Sequence, residues 1–247
     1  MRQLLNSFFT IFFTFGLLFF SSKTLWAESV VISATDYPPY EFANPEGGLR
    51  GFDVEVTEAA FERVGFSSEF KFFPWKRALE MTRQGNFTGI LSCNYNDKRA
   101  QTFFFSTPIS RSTDGYFVRK DHKGYEPSSF EGAKGIRVGA ILGWVQGKLL
   151  TEGGANVVEY RSEELAFRDL LKGVVDYILL TREGSGFRAM QLGISNKIRF
   201  LKVREKSLYL CISKKWPNAE QITQKFNEGL AAIQADGTYD AIHSKYR

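Results

Sequence analysis

The stretch between Pro74 and Pro108 limits the architecture more than any other part of the chain. In P-W-K-R-A-L-E-M-T-R-Q-G, the residues Trp75, Ala78, Leu79 and Thr82 fall at i, i+3, i+4 and i+7, one stripe of a helix. Lys76, Arg77, Glu80 and Arg83 take the other face, and Gly85 supplies the stop. Residues 88–93 then form a mostly apolar run, the pattern of a strand buried in a parallel sheet. A polar elbow carries Arg99, and an aromatic strand follows at F-F-F. Arg99 is thereby predicted just past the carboxyl end of a buried strand, the edge where open α/β sheets bind ligands. Trp75 would supply a flat apolar wall and Arg99 a fixed positive fork for a small anionic solute. Both have a plainer reading as well, a solvated elbow charge and a core aromatic.

The rest of the chain repeats the alternation. Residues 30–34 read as a strand, followed by the aromatic loop D-Y-P-P-Y-E-F, in which Pro38 and Pro39 restrict the backbone around Tyr37 and Tyr40. Gly51-Phe52-Asp53 opens a helix with Val54, Thr57, Phe61 and Val64 inward, and 66–73 is a second strand. Beyond Pro108 the spacing predicts strands at 115–120, 136–141, 157–160, 174–180 and 208–213. A helix begins near Trp144, another is capped by Ser162, and a long one starts at Pro217 with Ile222, Phe226, Leu230 and Ile233 on one face. Asp236-Gly237 breaks it before a last helix. Two strand–helix–strand sets separated near Ser110 imply two lobes, with the chain crossing between them twice.

Residues 1–27 read as a secretory signal. Arg2 precedes an apolar run from Leu4 to Phe20, and a cut after Ala27 is expected, with Leu25 an imperfect small residue. An uncleaved anchor is the competing reading. Of the net charge of +5, two positive charges, Arg2 and Lys23, belong to this segment. The remainder is dispersed and argues against nucleic acid. Cys93 and Cys211 permit one disulfide in an oxidising compartment, or two packed thiols. With His122 and His243 they make no metal-ligand spacing, so neither a metal nor a cofactor is expected. Glu183-Gly184-Ser185-Gly186 is no nucleophile elbow, and Gly143 to Leu149 is no phosphate loop.

Several ordered pieces resemble one family, the bacterial extracellular solute-binding proteins of family 3. They are Y-P-P-Y-E-F with G-F-D-V-E-V, Trp75 with Gly85, N-D-K-R with F-S, V-G-A-I-L-G, G-V-V-D, and the tail K-F-N-E-G-L-A-A-I-Q-A-D-G-T-Y-D-A-I. The resemblance implies an α/β, two-lobed type II periplasmic-binding-protein fold, each lobe a mostly parallel sheet flanked by helices, joined by a two-strand hinge. Lobe 1 would comprise 28–109 with 206–247, and lobe 2 would comprise 110–205. Arg99 matches the arginine that grips a ligand carboxylate, Trp75 and Tyr37 match cleft aromatics, and Ser92 to Asn94 match the polar strand end. Gly143 and the amides after it match the second lobe's share of the carboxylate site. Two departures stand out. The hydroxyl residues expected after that glycine are Trp144 and Val145, and the acid expected to hold an α-ammonium is Thr181, with Glu183 as a possible substitute.

The functional expectation is a monomeric periplasmic protein, not an enzyme, that captures an amino acid or amino-acid-like carboxylate and delivers it to the permease of an ABC transporter. A sensory receptor of the same fold is the alternative. A dehydratase-like enzyme is a third reading, which needs a free cleft acid such as Glu41 or Glu183.

Overall fold

A computed structural model describes residues 28–246, so the expected signal segment lies outside the described residues. The first part of the chain builds β1 (Glu28–Ala34), α1 (Phe52–Arg63), β2 (Phe66–Phe72), α2 (Trp75–Gln84), β3 (Gly89–Asn94), the single turn α3 (Asp97–Ala100) and β4 (Phe103–Phe105). Then come β5 (Ser110–Arg119), β6 (Arg137–Ile141), α4 (Val145–Glu152), β7 (Asn156–Tyr160), α5 (Glu163–Leu171), β8 (Tyr177–Thr181) and α6 (Arg182–Gln191). The sixteen-residue β9 (Ile198–Ser213) precedes α7 (Ala219–Ala235) and α8 (Thr238–Ser244).

The strands form one curled mixed sheet in the order β2-β1-β3-β9-β5-β8-β6-β7, with β4 on β9. Each end is parallel: β2, β1 and β3 on one side, β7, β6 and β8 on the other. The middle is antiparallel. β5 and β9 pair from Ser110↔Leu208 to Arg119↔Ile198, while the far end of β9 pairs with β3 and β4. These two long strands are the physical link between the halves. This is a type II periplasmic-binding-protein fold, as expected.

Apolar side chains divide the same way. Ile32, Phe61, Leu210, Phe226 and Leu230 pack β1 and β9 under α1 and α7. Helix α7 approaches so closely that a Cβ at Gly229 would overlap the Ala60 carbonyl. On the other face Ala78, Ile90 and Phe103 surround Cys93 and Cys211, which form a disulfide. The open question of thiols or disulfide is thereby decided: the β3–β9 pairing brings the two Cα atoms to 6.1 Å. In the second half, Ile178 and Leu180 pack against Phe167 and Leu170 of α5, while Leu179 and Val138 pack against Leu150 of α4.

Helix α2 ends at Gly85 in the left-handed region, φ 90°, and buries Ala78 and Thr82, as its stripe requires. Ser162 accepts a bond from the Leu165 amide at the start of α5. Strand β5 starts at Ser110 rather than at the predicted 115, and α6 and β9 differ more from expectation. Helix α6 is missing from the sequence prediction, because Gly184 and Gly186 lower the helical signal of R-E-G-S-G-F-R-A-M-Q. Strand β9 starts ten residues before the predicted 208, because its first half alternates basic and apolar residues of intermediate burial.

Candidate functional site

The carboxyl ends of β1 and β3 converge with the start of α1. After β1 the chain turns through Tyr37-Pro38-Pro39-Tyr40, closed by Tyr40 N to Tyr37 O and Tyr37 N to Glu41 O, both 2.9 Å. The amides of Phe52 and Asp53 bond Pro39 O and Tyr40 O at 3.0 Å, tying this loop to α1. Gly51 stands at the contact with φ 101°, where any Cβ would overlap Tyr40 O. Tyr37 and Tyr40 stack with centroids 4.7 Å apart, but only Tyr37 is open to solvent, at 39%. Burial pushes the Tyr37 phenol up, partly offset by the neighbouring Ser112 hydroxyl of β5. Tyr40 is buried and its hydroxyl donates to Arg111 O at 3.0 Å, from loop to hinge strand.

Beneath this loop lie two acids, Glu41, which the sequence offered as a cleft acid, and Asp53, which the sequence reading did not place in the site. Glu41 accepts from Thr35 N at 2.7 Å, and Asp53 accepts from Ser92 Oγ at 2.6 Å. Both are fully buried, and burial raises Glu41 to about 8 and Asp53 to about 7. Asp53 Oδ1 has no hydrogen-bond partner among the described residues. Ser92 has φ 49° at the β3 irregularity and turns its hydroxyl down to this acid. Of the predicted strand-end polar groups, Ser92 is therefore spent on the floor beneath the site.

Arg99 sits on α3, a single turn rather than an open elbow, capped by Asn96 Oδ1 accepting from Arg99 N at 2.9 Å. Its Nη1 donates to Asn94 O at 2.8 Å and to Asn94 Oδ1, and its guanidinium lies 5.2 Å from the Trp75 ring centroid. Among the described residues no carboxylate pairs with Arg99, and Nε and Nη2 make no hydrogen bond. Partial burial without an acid pulls its pKa down. Arg99, Trp75 and Asn94 are thus one cluster, with two guanidinium donors held in a fixed plane.

Across the hinge, β6 ends at Ile141, the chain turns at Gly143, φ 80°, and α4 begins at Val145. Leu142, Trp144 and Val145 are 54%, 43% and 54% exposed. Of the amides expected to receive an anion here, that of Trp144 already donates to Ile141 O at 3.0 Å. Thr181 ends β8 opposite Asp114 of β5 and is nearly buried. Glu183, the possible substitute acid, is committed elsewhere. Its two oxygens accept from Thr113 N and Thr113 Oγ1, both at 2.9 Å, and from the Tyr40 hydroxyl at 3.3 Å.

The sequence reading also missed a trio around a buried acid: Asp114 accepts from Gln146 Nε2 at 3.0 Å and from the half-buried Arg204 Nε and Nη2 at 3.0 and 2.6 Å. The β5–β9 register sets Asp114 against Arg204, and the start of α4 brings Gln146 to them, so no local signal announced the group. A cavity of about 800 Å³ opens beside Pro39, Phe52, Arg182, Phe187 and Tyr246; Glu183, the possible substitute acid, lines it, whereas Arg99, Trp75, Tyr37 and Thr181 do not. Among the described residues no cluster of three metal-ligating side chains exists.

A two-lobed α/β fold with an unpaired arginine at a strand end defines a class of ligand receptors, and sequence comparison agrees. The chain belongs to the bacterial extracellular solute-binding proteins, family 3, whose family model matches residues 30–247. It is 24% identical over 219 residues to the histidine-binding periplasmic protein of Escherichia coli K12, covering 85% of this chain and 84% of that one. It is also 24% identical over 241 residues to the arginine-binding periplasmic protein of Mannheimia haemolytica, covering 93% and 95%. Among solved structures, the L-cystine solute receptor of Neisseria gonorrhoeae, in its unliganded open conformation, superposes with TM-score 0.74 at 20% identity. That match covers 89% of this chain and 92% of the other. The ancestral amino acid-binding protein AncCDT-1, a precursor of cyclohexadienyl dehydratase, superposes with TM-score 0.61 at 21% identity, over 88% and 94%. The protein is a solute-binding protein of this family.

Proposed function

We propose that the chain is exported to the periplasm, where it captures a small carboxylate-bearing solute, an amino acid or amino-acid-like, and presents it to the permease of an ABC transporter. Lobe 1 (28–109 with 206–247) and lobe 2 (110–205) close on the solute as β5 and β9 flex. The solute shifts the open–closed equilibrium by binding the closed form more tightly. Arg99 grips the carboxylate through Nε and Nη2, with Trp75 and Asn94 holding the guanidinium in place. Tyr37 walls the solute at the hinge, and Gly143, Trp144 and Thr181 meet it from lobe 2. No cofactor takes part, and the protein acts as a monomer.

One observation carries this reading: a partly buried arginine at the end of β3 with no acid to neutralise it. Catalysis finds less support, since the two acids an enzyme would use are engaged, Glu41 with Thr35 N and Glu183 with Thr113. Arg99→Ala tests the proposal. Losing a bidentate charge-assisted contact is expected to weaken carboxylate binding by about 2–4 kcal/mol, roughly 30- to 1000-fold, with under about 1 kcal/mol lost in stability. Calorimetry against a panel of amino acids and carboxylates is the measurement, and unchanged affinity refutes the role of Arg99. A thermal-shift screen on the same panel finds the solute first, because a ligand that binds only the folded state raises the melting temperature.

A further inference from the structure

We infer that the solute is an aryl-substituted carboxylate without an α-ammonium group, which narrows the carboxylate reading above and rests on it. An α-ammonium drawn from water into the closed site needs a fixed negative partner. The residue at the end of β8 is neutral Thr181. Its register partner Asp114 is 3% exposed and surrounded by cations, with Arg204 bonded to it and Lys206 at 3.7 Å. One carboxylate against two cations leaves that wall with a surplus of positive charge. Glu183 is held by the Thr113 amide and hydroxyl and paired with Arg182 at 3.2 Å, and moving it toward a ligand would strip the Thr113 amide of its partner. On the lobe 1 side, Glu41 and Asp53 are 1% and 0% exposed beneath the loop, and burial favours their neutral forms. Asp114, Glu183, Glu41 and Asp53 are thus each paired or buried, and of the exposed acids at this edge Asp36 accepts from Ala43 N at 3.0 Å and Asp97 from the Tyr95 hydroxyl at 3.4 Å.

The same edge offers apolar surface instead. Leu142, Trp144 and Val145 lie exposed in one short run after β6, on the half opposite Arg99. Trp144, Tyr37 and Trp75 bring three aromatic rings to the strand ends, two of them among the most exposed large apolar residues. Flat rings stack well on flat rings, and burying Trp144 on closure favours a solute with an aromatic body. The chemistry therefore divides by lobe: Arg99 reads the carboxylate, and the Leu142–Val145 lip covers the ring.

Matched pairs that differ only in the amino group test this: 3-phenylpropanoate against L-phenylalanine, and indole-3-propanoate against L-tryptophan, by calorimetry at pH 7. The des-amino member of at least one pair is expected to bind tenfold or more tightly than its amino acid. Trp144→Ala should weaken that binding at least tenfold, and Thr181→Asp should shrink or reverse the preference. Equal or tighter binding of the amino acids overturns the inference, as does full affinity in Trp144→Ala. If a different solute binds in an Arg99-dependent way while both des-amino probes fail, the inference falls and the solute-binding reading stands. If no carboxylate binds and Arg99→Ala changes nothing, both fall.

Discussion

Arg99 is a charge whose surroundings decide its use. A lone arginine on a polar turn is ordinarily a solvated surface group. Here Asn94 and Trp75 fix its plane, and no acid cancels it. Glu41 and Asp53 show the opposite case, acids kept neutral by burial. Their pKa values in the folded protein, about 8 and about 7, exceed the ordinary values of 4.5 and 3.8. The folded state thus holds more protons than the unfolded chain between those limits. Stability from this pair is complete below pH 4 or so and is lost as pH rises through 7 to 8, each group contributing a slope of up to about 1.4 kcal/mol per pH unit. Chemical denaturation at pH 5, 6, 7 and 8 is expected to show declining stability, and Glu41→Gln with Asp53→Asn should flatten the decline. A profile that rises over this interval would show that the two carboxylates are ionised in the fold.

Among the elements, those with strong periodicity were legible in the sequence and those held by their neighbours were not. The stripe of Trp75, Ala78, Leu79 and Thr82 and the stop at Gly85 foretold α2. Helix α6 depends instead on burying Phe187 and Ala189 and on Glu163 and Glu164 of α5 reaching Ser185 and Arg188. Such tertiary partners overrule the weak propensity of its glycines. The Cys93–Cys211 link ties β3 to β9 across a sequence separation of 118 residues. In the chain-entropy account, a cross-link over a loop of this size restricts the unfolded chain by about 5 kcal/mol. Cys93→Ser with Cys211→Ser is expected to lower the unfolding free energy by up to that amount, read as a lower urea midpoint, while leaving the fold intact by circular dichroism. An unshifted midpoint would mean that the bond strains the fold as much as it restrains the unfolded state.

For the whole molecule, β9 is the strand that, among the described residues, pairs with both sets, with β3 and β4 at one end and with β5 along the other. Tyr40 adds a contact from the loop of one half to Glu183 of the other. If closure is the working motion, small-angle scattering should show a smaller radius of gyration with a saturating ligand than without. No contraction on adding a ligand that raises the melting temperature would rule out lobe closure as the response. The family resemblance was legible across most of the chain because its motifs sit at turns and strand ends, where residue type is tied to backbone geometry, and along the packed helix α7, where it is tied to close contact such as that of Gly229 with Ala60.

The pattern of apolar periodicity, turn residues and capping groups was enough by itself to determine an α/β chain folded as two linked sets, with Arg99 beyond a strand end. These are local properties, set by residues a few positions apart. Only the tertiary structure decided that Cys93 bonds Cys211, that Ser92 faces a buried acid, and that Asp114 is neutralised by Arg204. Each of those depends on the register of strands distant in the chain. A shift of one residue would turn every side chain to the opposite face, and neither strand's own sequence reports which partner residue it will meet.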